Sequence, residues 1–293
     1  MRAHLVRELL APDVDVVIAT TSEDGRDFVR AVDGHDCAVL PGHLAMAFDD
    51  HHDYDAARTR RRTLRYLARD LVRDVRAVRE LAHSCELVVN DSFHPALLAA
   101  HLVDVELARR VVHVHGAHLR DMVAREAWPF RIERWLAHAH ASIEHTLDAD
   151  DDAATLRRRL PPLVAPITRS RAEVLRAHAL PPGARVLACY LNPHYRDSSI
   201  ADDIDAAAAR AGLHVVGVGE AFAGSRAGWC ATDAAFIDVV AHADVFVSGA
   251  GMGALEQARV TGTPLVCLLG DQREQRDNAA ARGLDVVDVH DAE

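Results

Sequence analysis

Short apolar runs alternate with amphipathic stretches along the chain. "VDVVIAT" (14–20), "DCAVL" (36–40), "CELVVN" (85–90), "RVVHVH" (110–115) and "ASIEHTL" (141–147) read as strands. "ARVLACYL" (184–191), "LHVVGVG" (213–219), "DVFVSGA" (244–250), "PLVCLLG" (264–270) and a weaker "LDVVDV" (284–289) repeat the pattern further on. Strands separated by helical stretches are the signature of βα units around a mostly parallel sheet. One long helix is predicted within 55–83, where Leu64, Leu67, Leu71, Val75 and Val78 recur at three- and four-residue spacing and form one apolar stripe.

The pattern breaks at "DADDDAATLRRRLPPLVAPITRSR" (148–171), an acidic run, an arginine run and prolines together. The expectation is an α/β chain of two Rossmann-like βα domains, 1–150 and 171–293, joined by a connection over 151–170. Ligands of such sheets sit beyond the carboxyl ends of the strands, so a cleft between the two domains is the expected site.

Composition narrows the classes. The chain is 49% hydrophobic and 26% charged, as in soluble globular proteins, and its net charge of −11 argues against a nucleic-acid partner. All 33 basic residues are arginine. Cys37, Cys85, Cys189, Cys230 and Cys267 lie far apart without CxxC spacing, which suits free thiols in a reducing compartment. No apolar run approaches the ~18 residues of a membrane span and no signal peptide opens the chain, so the expectation is cytoplasmic.

The chemistry concentrates in "DVFVSGAGMGALEQARVTGTPLVCLLGD" (244–271): strand, glycine turn, helix, then Gly-x-Pro into another strand. Backbone N–H groups and the helix dipole converge at such a junction and favour a phosphate. A dinucleotide fold is the first alternative, since Gly249, Gly251 and Gly253 follow a strand and Asp271 lies about 20 residues on. Two features oppose it: the spacing is Gly-x-Gly-x-Gly, and only 22 residues follow Asp271, too few for further βα units. Downstream, "GDQREQRDNAA" (270–280) sets Gln275 and Asn278 three apart at a helix start, so both helix N-termini could face one ligand.

Asp244, Ser248, Gly251, Gly262, Pro264, Gln275, Asn278 and Ala279 follow in the order found in nucleotide-sugar glycosyltransferases with two Rossmann domains (GT-B). The sequence most resembles the group of the peptidoglycan-precursor N-acetylglucosaminyltransferase and monogalactosyldiacylglycerol synthase, the family 28-like enzymes. The resemblance implies transfer of a sugar from a nucleoside-diphosphate donor, UDP-linked, to an acceptor hydroxyl with inversion, without metal or cofactor. Gly251, Met252 and Gly253 would present N–H groups to the diphosphate, with Ser248 and Asn278 in the same donor site. Gln275 would reach sugar or phosphate, and Gly219 would lie by the nucleobase. The ribose-binding acid of the family falls on Gln257, with Glu256 one residue earlier. In place of a glycine-rich turn after the first strand of this half stands "CYLNPHYRDSS" (189–199), whose Tyr190, Asn192, His194 and Arg196 would wall the cleft. The opening "MRAHLVRELLA" matches residues inside the family's first helix, so a strand and turn are expected upstream, and the family's terminal crossover helix has no counterpart.

On the acceptor side, "VVNDSFHPALLAA" (88–100) ends a strand and starts a helix, and Asp91 or His94 is the candidate to deprotonate an acceptor. In "HVHGAH" (113–118), His115 is a candidate to line the cleft, and no carboxylate or Cys at ligand spacing makes it a metal site. The arginines from Arg58 to Arg79 would form the wet side of the long helix or contact an anionic membrane surface or a phosphorylated acceptor. A nucleotide-sugar hydrolase or epimerase, and a non-catalytic nucleotide-sugar-binding protein, share the same architecture.

Overall fold

The computed structural model describes residues 2–10, 13–42, 44, 47–49, 55–91, 94–116, 136, 139–146, 157–193, 195–270 and 272–288. The chain divides into two compact units: Met1–Met46 with Ala56–Pro162, and Ala47–Asp55 with Leu163–Glu293.

In the first unit, β1 (Ala19–Thr20) and β2 (Ala38–Val39) pair in parallel. β3 (Val88–Asp91), β4 (Val111–Gly116), β5 (Ala141–His145) and β6 (Arg157–Leu160) form a second parallel sheet in that order. The helices are α1 (Arg2–Leu10), α2 (Glu23–Asp33), α3 (Ala56–Arg69), α4 (Leu71–Ala82), α5 (Pro95–Leu98), α6 (Ala100–Val103) and α7 (Val105–Ala108). Val78 and Ala82 of α4, Ala96 and Leu97 of α5, Leu107 of α7 and Val111 of β4 make one apolar cluster with Leu40.

The expected helix over 55–83 is thus two helices meeting at Asp70. The apolar stripe survives in α4, where Val78 is buried and Leu71 and Val75 pack on the core. In α3 it does not: Leu64 and Leu67 are 61% and 46% exposed, while Thr59 and Tyr66 are buried. Tyr66 wins the inner face because a buried carboxylate awaits its hydroxyl (below). The connection expected over 151–170 contains β6, so its arginine run is an edge strand paired with β5. An edge tolerates charge, and Arg159 Nε lies 3.5 Å from Glu144 Oε1 of β5.

In the second unit, β7 (Val186–Tyr190), β8 (His214–Val218), β9 (Trp229–Cys230), β10 (Val245–Ser248), β11 (Leu265–Leu269) and β12 (Asp285–Asp288) form one parallel sheet ordered β12-β11-β10-β7-β8-β9. α8 (Arg171–Ala177), α9 (Ser198–Ala211), α10 (Phe236–His242), α11 (Met252–Thr261) and α12 (Arg273–Arg282) accompany it. Ala188, Cys189 and Phe246 are fully buried, and burying a side chain like Phe246 contributes about 2–3 kcal/mol. From β7 the chain proceeds to β8 on one side, and from β10 to β11 on the other. The sheet's winding therefore reverses between β7 and β10, and a crevice opens at their carboxyl ends, where Tyr190 stands opposite Ser248.

Candidate functional site

That crevice is where the glycine turn falls. Gly251 is the N-cap of α11 with ordinary extended backbone (φ −73°), and no side chain caps the helix. A Cβ placed on Gly251 or Gly253 would meet nothing within 4 Å. The first-turn N–H groups have no intrahelical acceptor, and nothing crowds the side-chain positions of the two glycines. α12 starts beside it, from the neighbouring strand, and it too lacks a side-chain cap. Two helix N-termini at one sheet edge make a site of positive potential without a formal charge.

Gln275, on the first turn of α12, is 7% exposed. Its Nε2 donates to Gln272 Oε1 at 3.0 Å, but its buried Oε1 has no hydrogen-bond partner among the described residues. That oxygen lies against the glycine turn, where a Cβ on Gly249 would come within 2.8 Å of it. A buried acceptor left unsatisfied costs about 1–3 kcal/mol, so the position is suited to a ligand's donor. Asn278, one turn on, donates from Nδ2 to Ala250 O at 3.0 Å and pins the turn to α12.

Other expected donor-site residues are committed to the protein itself. Ser248 is 2% exposed and its hydroxyl donates to Tyr190 O at 2.9 Å, tying β10 to β7 at the crevice. Gly219 donates its N–H to Cys230 O, and its carbonyl accepts from Phe222 and Ala223, so it has no idle backbone donor for a base. It is glycine because a Cβ would lie 2.8 Å from the Phe222 ring. Glu256 is 3% exposed and takes two hydrogen bonds from Arg259, at 2.7 and 2.6 Å. Gln257 is half-buried and its amide is uncommitted among the described residues. Asp244 lies at the amino end of β10. It accepts from Val186 N–H at 2.8 Å, and that bond, with Arg171 and Arg185 nearby, holds its carboxyl below the usual range. Of the cleft-wall candidates, Asn192 is half-buried, Arg196 is exposed with Nε on Pro193 O, and His194 lies outside the described residues. Tyr190 is 40% exposed with its ring 6.3 Å from that of Phe236.

On the first unit, Asp91 ends β3 and is exposed. His94 is not presented in that way. Its Nδ1 accepts from Ala96 N–H at 3.3 Å as the cap of α5, and its Nε2 is buried, 3.8 Å from Asp74 Oδ2. Asn90, 1% exposed, clamps the turn: its Oδ1 accepts from His94 N–H at 2.8 Å and its Nδ2 lies 3.0 Å from His113 Nδ1. His115, 3% exposed, shares the buried sheet face with His113 and so does not line an open surface. Burial first, and the neighbouring His115 second, pull the His113 ring down to about 4.

Comparison with protein-family models gives no match, and comparison with curated proteins gives none. Solved structures do match. The calicheamicin glycosyltransferase CalG4 superposes with a TM-score of 0.59 at 17% identity, over 99% of this chain and 82% of that one. The spinosyn rhamnosyltransferase SpnG, solved with spinosyn aglycone, gives 0.63 at 15% identity, over 97% and 81%. Arabidopsis thaliana UGT89C1, solved with UDP, gives 0.59 at 11% identity, over 97% and 81%. The chain has the GT-B glycosyltransferase fold. That fold, and not the dinucleotide fold weighed on the glycine spacing, is the one the chain matches.

Two features of this GT-B chain escape sequence reasoning. One is the unpartnered Gln275 oxygen, since only folding shows which atoms of a Gln find partners. The other is Asp74, in the first turn of α4 and 0% exposed, which takes hydrogen bonds from Tyr66 Oη at 2.7 Å and Gly42 N–H at 2.6 Å. A fully buried carboxylate inside an arginine-rich, seemingly surface helix has no sequence signal.

Proposed function

We propose that this protein is a glycosyltransferase that takes a sugar from a nucleoside-diphosphate donor, a UDP sugar, and passes it with inversion to an acceptor hydroxyl. One observation carries the reading: the buried, unpartnered Gln275 Oε1 set against the Gly249–Gly251 turn at two uncapped helix N-termini. The helix starts suit a diphosphate and the lone acceptor suits a sugar hydroxyl, so the two halves of a nucleotide-sugar find complementary groups. Donors aimed where negative charge grows on the departing diphosphate lower the barrier most, because they need no reorganisation during reaction. Gln257 is assigned to the ribose and Asp91 to accepting the acceptor's proton. The order Gln275-x-x-Asn278-Ala279 supports the family 28-like group.

Isothermal titration calorimetry with UDP, TDP and GDP tests the donor half. UDP should bind wild type, and Gly253→Val should weaken it on the order of 10- to 100-fold through loss of one or two charge-assisted hydrogen bonds. If none of the three gives heat while NADH titrates, the proposal fails. A second reading, nucleotide-sugar binding without turnover, is favoured by the engagement of His94 inside the first unit, which leaves Asp91 alone as base. Release of UDP from UDP-glucose with and without a phenolic acceptor separates the two and also exposes a hydrolase or epimerase.

A contact with an anionic membrane surface belongs to the same proposal. α3 carries six arginines and no acidic residue, with Leu64 and Leu67 exposed among them. Among the described residues no helix is long and apolar enough to cross a membrane. The five free thiols support a reducing, cytoplasmic compartment.

A further inference from the structure

Asp74, in the first turn of α4, has both oxygens engaged and no solvent contact. The Tyr66 hydroxyl on Oδ2 comes from α3 and the Gly42 N–H on Oδ1 comes from the segment after β2. Gly42 is glycine for this carboxylate: a Cβ there would lie 2.5 and 2.8 Å from the two Asp74 oxygens. Burial, and then the Asp74 hydrogen bond, push the Tyr66 phenol well above its ordinary value, so it stays a donor. A carboxylate is costly to remove from water, so its place in this core calls for a reason beyond packing.

The third neighbour supplies one. Oδ2 also lies 3.8 Å from His94 Nε2, longer than a hydrogen bond and so an electrostatic contact. Because Nδ1 of that ring accepts from Ala96 N–H, the neutral ring carries its proton on Nε2, aimed at Asp74. The same residue's backbone is clamped by Asn90, through His94 N–H to Oδ1 at 2.8 Å and Nδ2 to His94 O at 3.4 Å. Asp91 sits inside that clamp, between Asn90 and His94.

We infer that Asp74 is a positioning residue: with Tyr66 and Gly42 it locks the tautomer and orientation of His94, and through the Asn90–His94 clamp it sets the direction of the Asp91 carboxylate. The catalytic consequence rests on the assignment of Asp91 as base made above; the positioning itself does not. A buried carboxylate facing an imidazole N–H favours one tautomer and one ring orientation electrostatically, here turned toward a loop and not toward substrate.

The test uses the full chain labelled with ¹⁵N at about pH 7.5, above the ordinary imidazole range. Long-range ¹H–¹⁵N spectra of wild type should show His94 protonated on Nε2. In Asp74→Asn the ring nitrogens should move toward mixed tautomers, and the amide signals of Asn90 and Asp91 should shift. Tyr66→Phe, which keeps the shape and removes one hydrogen bond, should produce the same shifts in smaller measure. If Asp74→Asn does not fold, Tyr66→Phe decides alone. Variants that lose thermal stability while the His94 ring and the Asn90 and Asp91 amides stay put would overturn the inference and leave Asp74 a packing residue. With UDP-glucose and a phenolic acceptor, Tyr66→Phe should lower kcat about tenfold and Asp74→Asn on the order of 100-fold, with the donor KM unchanged. Full turnover in Asp91→Asn would instead remove Asp91 as base, and the spectra would still decide Asp74.

Discussion

Gly253 and Gly262 stand at opposite ends of α11 and are glycines for different reasons. Gly262 terminates the helix with φ +70°, a left-handed conformation that costs an L-residue about 1 kcal/mol. Gly253 has no such conformation, and open space lies where its Cβ would be. Gly262→Ala should therefore lower unfolding free energy in urea by about 1 kcal/mol and leave UDP affinity unchanged. Gly253→Val should do the reverse. Equal effects of both on stability and binding would show that the turn is a packing device. His113 offers a second test at this scale. Its ring is held at about 4 in the folded state, against an unfolded value near 6.5, so the folded protein binds fewer protons below neutrality. Its share of stability is complete above pH ~6.5 and shrinks as pH falls toward 4, by on the order of 3 kcal/mol. Urea unfolding at pH 7 and pH 4.5 should show that acid loss in wild type and a reduced loss in His113→Gln, whose amide oxygen can still accept from Asn90.

At the scale of elements, periodicity reported existence well and partnership poorly. β7, β8, β10 and β11 fall within the apolar runs at 184–191, 213–219, 244–250 and 264–270, because strands buried on both faces need near-continuous apolar sequence. α3 misled, because the choice between its leucines and Tyr66 rests on a carboxylate from the next helix, which no window on α3 contains. β6 misled because charge at a sheet edge looks like charge in a linker until the neighbouring strand is known. α8 illustrates the opposite case. Ser170 and Glu173 exchange hydrogen bonds in a capping box that can be read directly from Ser-x-x-Glu. Ser170→Ala should cost about 1 kcal/mol by thermal or urea unfolding.

For the whole molecule, charge is the property that sequence totals conceal. A net charge of −11 coexists with six arginines and no acid on α3, and Arg60, Arg61, Arg65 and Arg69 have no ion-pair partner among the described residues. If this face meets an anionic surface, sedimentation with vesicles rich in phosphatidylglycerol should pull the protein down at low salt. Replacing Arg60, Arg61 and Arg65 with Gln should abolish that, at about 1 kcal/mol per arginine. Binding that persists in high salt or with neutral vesicles would refute it.

What the sequence determined alone is local: the βα alternation, the glycine turn before α11, the capping box of α8 and the Gln-x-x-Asn spacing, all set by contacts within a few residues. Tertiary structure decided which polar atoms are spoken for. Ser248, Gly219, Glu256 and His94 looked available in one dimension and make hydrogen bonds within the fold, while Gln275 Oε1 is a buried acceptor without one among the described residues. The physical reason is that a hydrogen bond's partner is chosen by proximity in space, whereas the sequence specifies only the donor and acceptor inventory.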